Sequence, residues 1–217
     1  MWRLRVDSHE ANYARFVAMA ELDPRAKLLD VGCSNGKRTL AIARRIGTKN
    51  ITGIDAKNTG APFNVVYQNL DEKWSFEDGA FDVVTAHHVI EHVCNTDMMV
   101  SEAYRVLKHG GYALFGTPNL ASGKTIAALI LDRQPHDTFV SDYFIIGNRL
   151  KDGFSDWEMS EGFLHRRLFT MYGLTELLKH YGFTIEYRRK IGYGRYVFGE
   201  LLCGKYAANL IVKARKV

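Results

Sequence analysis

Cysteine is scarce in this 217-residue chain: Cys33, Cys94 and Cys203 are its only three, and none stands in a CxxC spacing. That excludes a disulfide framework and leads us to expect a reducing, cytoplasmic setting. Long apolar runs are missing too. A stretch such as Ile126 to Leu131 is far too short to cross a bilayer, so no transmembrane segment is expected. Met1-Trp2-Arg3 is not followed by the apolar core of a signal peptide. There is no internal repeat and no low-complexity linker. What remains, with 47% hydrophobic and 24% charged residues, is the composition of an ordinary globular protein of one domain.

Acidic residues are few in one region. Residues 164–217 hold 11 Lys/Arg and 3 Asp/Glu, a balance of +8; the other 163 residues hold 18 and 21, a balance of −3, which together make the net +5. A basic C-terminal quarter suits an acidic substrate, an anionic membrane surface or a nucleic acid. The plainer reading is a solvated basic surface.

The chain is organised around Lys27 to Ile46. Lys27 to Val31 is a short apolar run that contains Asp30. Gly32-Cys33-Ser34-Asn35-Gly36 is a tight turn of small residues. Lys37 to Ile46 carries Leu40, Ile42, Ala43 and Ile46 near helical spacing. This reads as strand, glycine turn and helix. Such a turn brings backbone N–H groups and a helix N-terminus up to a ligand. A cradled nucleotide-type cofactor and an ordinary βα turn with two helpful glycines are equally compatible with these residues alone.

Ahead of it, residues 8–22 form an amphipathic helix, with Asp7 or Ser8 as cap and Tyr13, Phe16, Val17 and Ala20 on one face. Behind it come strands at Ile51 to Ile54, Phe63 to Tyr67, Phe81 to Ala86 and Tyr112 to Thr117. A short helical stretch is expected around His88 to Val93, and a helix over Asp97 to Leu107 stopped by Lys108-His109-Gly110-Gly111. Asp55 ends the second strand, 23 positions after Gly32, where a carboxylate can accept both hydroxyls of a ribose. A short apolar helix follows at Thr125 to Leu131, and the aromatic, weakly periodic remainder of 120–163 reads as substrate-facing cover. Regularity resumes with a helix over Phe169 to Tyr181, a strand over Phe183 to Lys190, a Gly/Tyr loop over Gly192 to Tyr206, and a last strand over Ala208 to Ala214. The expected fold is α/β: a Rossmann-like, doubly wound, mostly parallel seven-stranded sheet with helices on both faces and an antiparallel C-terminal strand pair.

LLDVGCSNG, then GID, then DEKWSFEDGAFDVVTAHHVIEHV, then SEAYRVLKHGGYALFGTPN, then HRRLFTMYGLTELLKHYGF occur in this order. The set resembles class I S-adenosylmethionine-dependent methyltransferases, in particular the small-molecule group similar to ubiquinone-biosynthesis and cell-surface-sugar methyltransferases. The resemblance implies one methyltransferase domain over 1–217: an N-terminal helix (1–26), a cofactor-binding core (27–119), a substrate-facing insertion or lid (120–168) and a C-terminal helix and strands (169–217). It implies S-adenosylmethionine as cofactor, S-adenosylhomocysteine as product, and a small-molecule acceptor, with O-methylation expected. It also implies the binding residues. Gly32, Cys33, Ser34 and Gly36 form the turn, with Ser34 where the family has its middle glycine. Asp30 would hold the methionyl amino group and Asp55 the ribose hydroxyls. Asn69 and the Leu70 backbone would meet the adenine, and Ala86 and His87 the methionyl and sulfonium end.

Methyl transfer from a sulfonium needs an acceptor placed in line and, in some reactions, a base. His87, His88, His92 and His165 are candidate bases, with His87 and His165 ranking first. Competing readings stay open: an RNA methyltransferase, although no Asn-Pro-Pro-Tyr-type motif is present (Thr117-Pro118-Asn119 is a different pattern); a non-catalytic cofactor-binding module; and, more remotely, a zinc hydrolase using His88-Val89-Ile90-Glu91-His92 on a helix. No metal is assigned. A phosphate loop at Gly123-Lys124-Thr125 is rejected because Pro118 stands where the first glycine must be. Peripheral contact with a lipid-linked substrate is compatible with the basic tail.

Overall fold

Leu28 and Leu29 are adjacent and both fully buried, yet they belong to different apolar clusters. Consecutive side chains of a strand point to opposite faces, so a strand apolar at every position must be covered on both sides. The computed structural model, which describes residues 8–58, 60–135, 137–138, 140–141, 164–191 and 206–217, supplies that cover. Its strands are β1 (Leu28–Val31), β2 (Ile51–Asp55), β3 (Asn64–Tyr67), β4 (Phe81–His87), β5 (Leu107–Pro118), β6 (Phe183–Ile191) and β7 (Asn209–Lys216). Its helices are α1 (Ser8–Val17), α2 (Lys37–Ile46), α3 (Thr96–Val106), α4 (Gly123–Ile130) and α5 (Met171–His180).

The strands form one sheet of order β3-β2-β1-β4-β5-β7-β6. β1, β2, β3, β4 and β5 pair in parallel. On one face, Met99, Val100 and Ala103 of α3 and Leu174 and Leu178 of α5 pack over Leu29, Val84 and Phe115. On the other, Phe16 of α1 and Ile42, Ala43 and Ile46 of α2 pack over Leu28, Val83 and Leu114. The expected doubly wound fold is therefore present.

The C-terminal strands pair as expected, and three local expectations change. The last strand, β7, is antiparallel to both β5 and β6 and lies between them. β7 and β6 thus form the expected antiparallel C-terminal pair at one edge of the sheet, with β6 outermost. α1 is shorter than residues 8–22 because the chain turns at Ala18 to Ala20. No break separates α3 from the next strand: β5 starts at Leu107, directly after α3. His88 to Val93 is not a helix but a turn, entered through His88 at φ +57°. The helical spacing that the zinc-hydrolase pattern requires is therefore absent. Residues 142–163 of the expected cover, most of the loop 192–206 and Cys203 lie outside the described residues.

The basic C-terminal quarter is partly neutralised within the fold. Lys213 and Arg215 of β7 pair with Glu21 and Glu186, and Lys216 donates to the carbonyls of Tyr104, Arg105 and Leu107. Among the described residues no helix is long and apolar enough to cross a membrane.

β1 reaches α2 through the glycine turn. Gly32 has φ +67°, and a Cβ there would stand 2.4 Å from Val89 Cγ2. Gly36, at φ +77°, precedes α2, and a Cβ there would meet the ring of Phe63 at 2.5 Å. Both the backbone conformation and the lack of room require glycine. We predict that Gly32→Ala costs about 2–4 kcal/mol from the left-handed backbone and the clash together. Thermal denaturation should show the midpoint lowered by roughly 5–15 °C.

Candidate functional site

Asp30 faces inward from β1 and is 6% exposed. Its Oδ2 accepts from Thr39 Oγ1 in the first turn of α2, and its Oδ1 from Thr85 Oγ1 of β4, each at 2.5 Å. Thr85 is the residue that the β1–β4 register sets opposite Asp30. Burial raises the carboxyl pKa; the two threonine hydrogen bonds oppose it, the Asp55 charge adds to it, and the result is about 6 against an ordinary 3.8. Asp30 therefore joins three elements and is held where ionisation is costly.

Next to it, the turn is tied to β2. Asp55 Oδ2 accepts from the Ser34 N–H at 2.8 Å, and Oδ1 from the Lys57 N–H at 3.0 Å. Each carboxylate oxygen retains a second lone pair, and Asp55 is half-buried, within reach of a ligand. Ser34 is exposed and sits at φ +47°, a conformation glycine adopts without strain. Serine thus occupies the middle-glycine position with the backbone of a glycine. Cys33 turns the other way. Its sulfur packs against Gly53, where a Cβ would come within 2.5 Å of it, and burial with the charges of Asp30 and Asp55 pushes the thiol pKa up to about 12. Only the backbone of Cys33 faces the turn. α2 begins at Gly36 without a side-chain cap, so the positive end of the helix opens at the same place.

Asn69 is exposed. Its Oδ1 accepts from the Asp71 N–H and its Nδ2 donates to Glu72 Oε1, so the side chain shapes the loop after β3. The Leu70 side chain is buried in the core. Ala86 is buried in β4, and His87 ends that strand.

The surroundings of His87 were not foreseen. Arg38 Nη1 lies 3.3 Å from His87 Nδ1, and because arginine can only donate, that nitrogen accepts. The ring stands edge-on to Tyr13 and Phe16 of α1, with centroids 4.9 and 4.7 Å away. The Tyr13 hydroxyl donates to the Arg38 carbonyl, and the Arg38 guanidinium lies over the Tyr13 ring at 5.3 Å. Burial, followed by the neighbouring His88 and Arg38, holds the His87 pKa well below its usual value, so the ring is neutral. α1 thus walls the space beside α2 and β4. Next to Tyr13, Asn12 buries an amide that has no partner among the described residues.

Past β4, Glu91 is fully buried. Its Oε1 accepts from His88 Nδ1 at 2.8 Å and its Oε2 from Thr117 Oγ1 of β5 at 3.0 Å. Burial raises its pKa, but the His88 hydrogen bond and the nearby His88 and His92 outweigh it and leave the group below the usual carboxylate range. His92 and His165 stand side by side, ring centroids 5.0 Å apart. Burial lowers the His165 pKa. His165 therefore belongs with Glu91 and His92, while His87 belongs with α1 and Arg38.

The groups at the ends of β1 and β2 are of the kinds that S-adenosylmethionine requires. A buried carboxylate suits a positive group, an uncapped helix start suits a carboxylate, and Asp55 suits a diol. The glycines leave no side chain in the way. Sequence reasoning missed Thr39, Thr85, Arg38 and Tyr13. Thr85 alone had a signal, since aligning the parallel strands β1 and β4 puts it beside Asp30.

A methyltransferase-domain family model matches residues 3–187. The ubiquinone biosynthesis O-methyltransferase of Cronobacter sakazakii is 31% identical over 116 residues, covering 48% of this chain and 47% of that protein. The chain thus spans about half the length of the curated relatives it matches. Among solved structures, an S-adenosylmethionine-dependent methyltransferase described as putative, from Listeria monocytogenes, aligns at TM-score 0.66 and 16% identity over 96% of this chain and 99% of that one. The 1,6-didemethyltoxoflavin N1-methyltransferase of Burkholderia thailandensis, solved with its acceptor and S-adenosylhomocysteine, aligns at 0.61 and 15% over 98% and 80%. At these identities the structural likeness shows the fold.

One consequence concerns Asp30. A carboxyl with a raised native pKa stabilises the fold while protonated, and that stability is lost as pH rises from 3.8 through about 6. The full difference is about 3 kcal/mol. Asp30→Asn cannot ionise, so at neutral pH it should melt at or above the wild-type temperature, with the gap closing as pH falls below 3.8. Thermal scans across pH check this.

Proposed function

The chain belongs to the methyltransferase-domain family, and on that premise we propose that it transfers a methyl group from S-adenosylmethionine to an oxygen of a small-molecule acceptor. The observation that carries the reading is the Ser34 N–H to Asp55 bond, which sets a ribose-type carboxylate against a glycine turn. The Cronobacter relative is an O-methyltransferase, which supports oxygen as the methylated atom.

Bound there, the cofactor supplies a methyl already activated by its positive sulfur. The chain's own residues bind and orient. Asp55 accepts the ribose hydroxyls. Asp30 faces the methionyl ammonium, and the start of α2 faces the methionyl carboxylate. The Leu70 backbone, with Asn69 beside it, borders the adenine. Ala86 and His87 border the sulfonium end, where Tyr13, Phe16 and Arg38 hold His87 as part of the wall and exclude water. His87 is unsuited to take a proton, since its Nδ1 is engaged by Arg38 and its pKa is depressed. The acceptor enters past the end of β5. A hollow of about 360 Å³, lined by Leu120, Thr125, Leu129, Arg133 and Pro135, lies there beside Asp137, whose carbonyl holds His165.

Release of S-adenosylhomocysteine, followed with and without a pool of phenolic and other hydroxylated metabolites, tests the proposal. Acceptor-dependent release is expected; its absence, or methyl on nitrogen or carbon of the product, rejects the assignment. Asp55→Ala should weaken S-adenosylhomocysteine binding by about 3 kcal/mol, roughly a hundredfold in Kd, through loss of hydrogen bonds to a charged acceptor. Calorimetry measures it, and unchanged binding removes Asp55 from the site.

A further inference from the structure

We propose that His88, anchored by Glu91, is the general base that takes the proton of the acceptor hydroxyl. His88 Nδ1 lies 2.8 Å from Glu91 Oε1. Glu91 is fully buried. Burial pushes its pKa up, but the His88 hydrogen bond and the nearby His88 and His92 outweigh that and keep it ionised. An ionised carboxylate can only accept, so Nδ1 carries the proton and Nε2 carries the ring lone pair. Thr117 Oγ1 donates to the other carboxylate oxygen, which fixes Glu91 and through it the ring. The His88 side chain keeps 30% of its exposure, and its one hydrogen bond among the described residues is that to Glu91. One nitrogen anchored and the other basic and open is the arrangement a general base needs.

This role rests on the proposed O-methylation, in which the sulfonium end lies by Ala86 and His87 and the acceptor enters past the end of β5. His88 follows the last residue of β4, and its N–H donates to the Gly116 carbonyl of β5 at 2.8 Å. On one side of it His87 is engaged by Arg38 of α2; on the other Val89 presses on Gly32 of the glycine turn. Three consecutive residues thus border the cofactor cradle. His88 also sits at φ +57°. Glycine would take that backbone without cost, so the shape of the turn does not account for an imidazole there. His92 and His165 turn Nδ1 to the backbone carbonyls of Leu164 and Asp137. A carbonyl sets the tautomer, whereas the Glu91 carboxylate also stabilises the imidazolium that forms when His88 takes a proton.

The step balances. The acceptor O–H bond breaks and its proton goes to His88 Nε2. The oxygen pair forms the new bond to the methyl carbon. The carbon–sulfur bond breaks with its pair on sulfur, which becomes a neutral thioether. The imidazolium beside Glu91 then returns its proton to water.

The test uses the full chain with S-adenosylmethionine and the pool of hydroxylated metabolites named above. Glutamine at position 88 can still donate to Glu91 but cannot take a proton, so His88→Gln separates a structural tie from a base. Acceptor-dependent release of S-adenosylhomocysteine should fall roughly a hundredfold or more in His88→Gln. The affinity for S-adenosylhomocysteine, measured by calorimetry, should stay within about twofold. His88→Gly fits the left-handed backbone, and imidazole added to the buffer should restore part of its lost release while leaving the wild type unchanged. If the melting curve shows that His88→Gln is unfolded, His88→Gly with imidazole decides. Nitrogen-15 signals of the His88 ring, assigned by their loss in the variants, should show the proton on Nδ1 above neutral pH. Release retained in folded His88→Gln, no restoration by imidazole, or the proton on Nε2 overturns the proposal. No acceptor-dependent release in the wild type is a failure of the O-methylation reading itself, seen before any variant is compared, and the assignment of His88 falls with it.

Discussion

A carboxylate placed out of water between two threonine hydroxyls is the constraint on which the rest of this fold turns. Asp30 draws together the end of β1, the first turn of α2 and the middle of β4. Those are the three elements that must meet for a ligand to be held at the carboxyl ends of a parallel sheet. The pKa near 6 means that at neutral pH the protein carries the group charged at a cost of about 3 kcal/mol. A positive ligand beside it offsets that cost. A neutral amide in its place would serve the fold as well or better, so stability does not account for the charge.

The turn beside Asp30 is constrained from both sides. Val89 presses on Gly32 and Phe63 on Gly36, while Asp55 holds the Ser34 N–H. The backbone is therefore fixed before any ligand arrives, which limits the ordering cost of binding. Serine at φ +47° shows that the conformation matters more than the residue.

Much of this could be read in the residues. The double-sided cover of β1 and β4 was legible because their apolar runs are continuous. The glycine turn and Asp55 were legible because each stands at a strand end, where polar and small residues interrupt such runs. The antiparallel C-terminal pair was legible too; that β7, not β6, adjoins β5 was not, since that pairing is a long-range choice. The Glu91-His92 turn was misread as helical because His88 takes a left-handed backbone that no local signal marks. Thr39 looked like a polar residue of an amphipathic helix, although its hydroxyl is the partner of Asp30. His165 comes beside Glu91 because the N–H groups of Arg166 and Arg167 donate to the Glu91 carbonyl across more than 70 residues of chain, which periodicity cannot reveal.

The two halves of the site then divide the work. The ends of β1 and β2 with α2 form a rigid cradle of backbone and carboxylates. The ends of β4 and β5 carry imidazoles around a buried glutamate. In the proposed site the link between cradle and ligand is the charge on Asp30, and proton release reports it directly. Binding of S-adenosylhomocysteine is measured by calorimetry near pH 6, in buffers that differ in ionisation enthalpy. If its ammonium sits by Asp30, binding drives ionisation of a half-protonated carboxyl, so about half a proton should be released per ligand, and none in Asp30→Asn. Buffer-independent heats in the wild type, or the same release in the variant, would contradict the account.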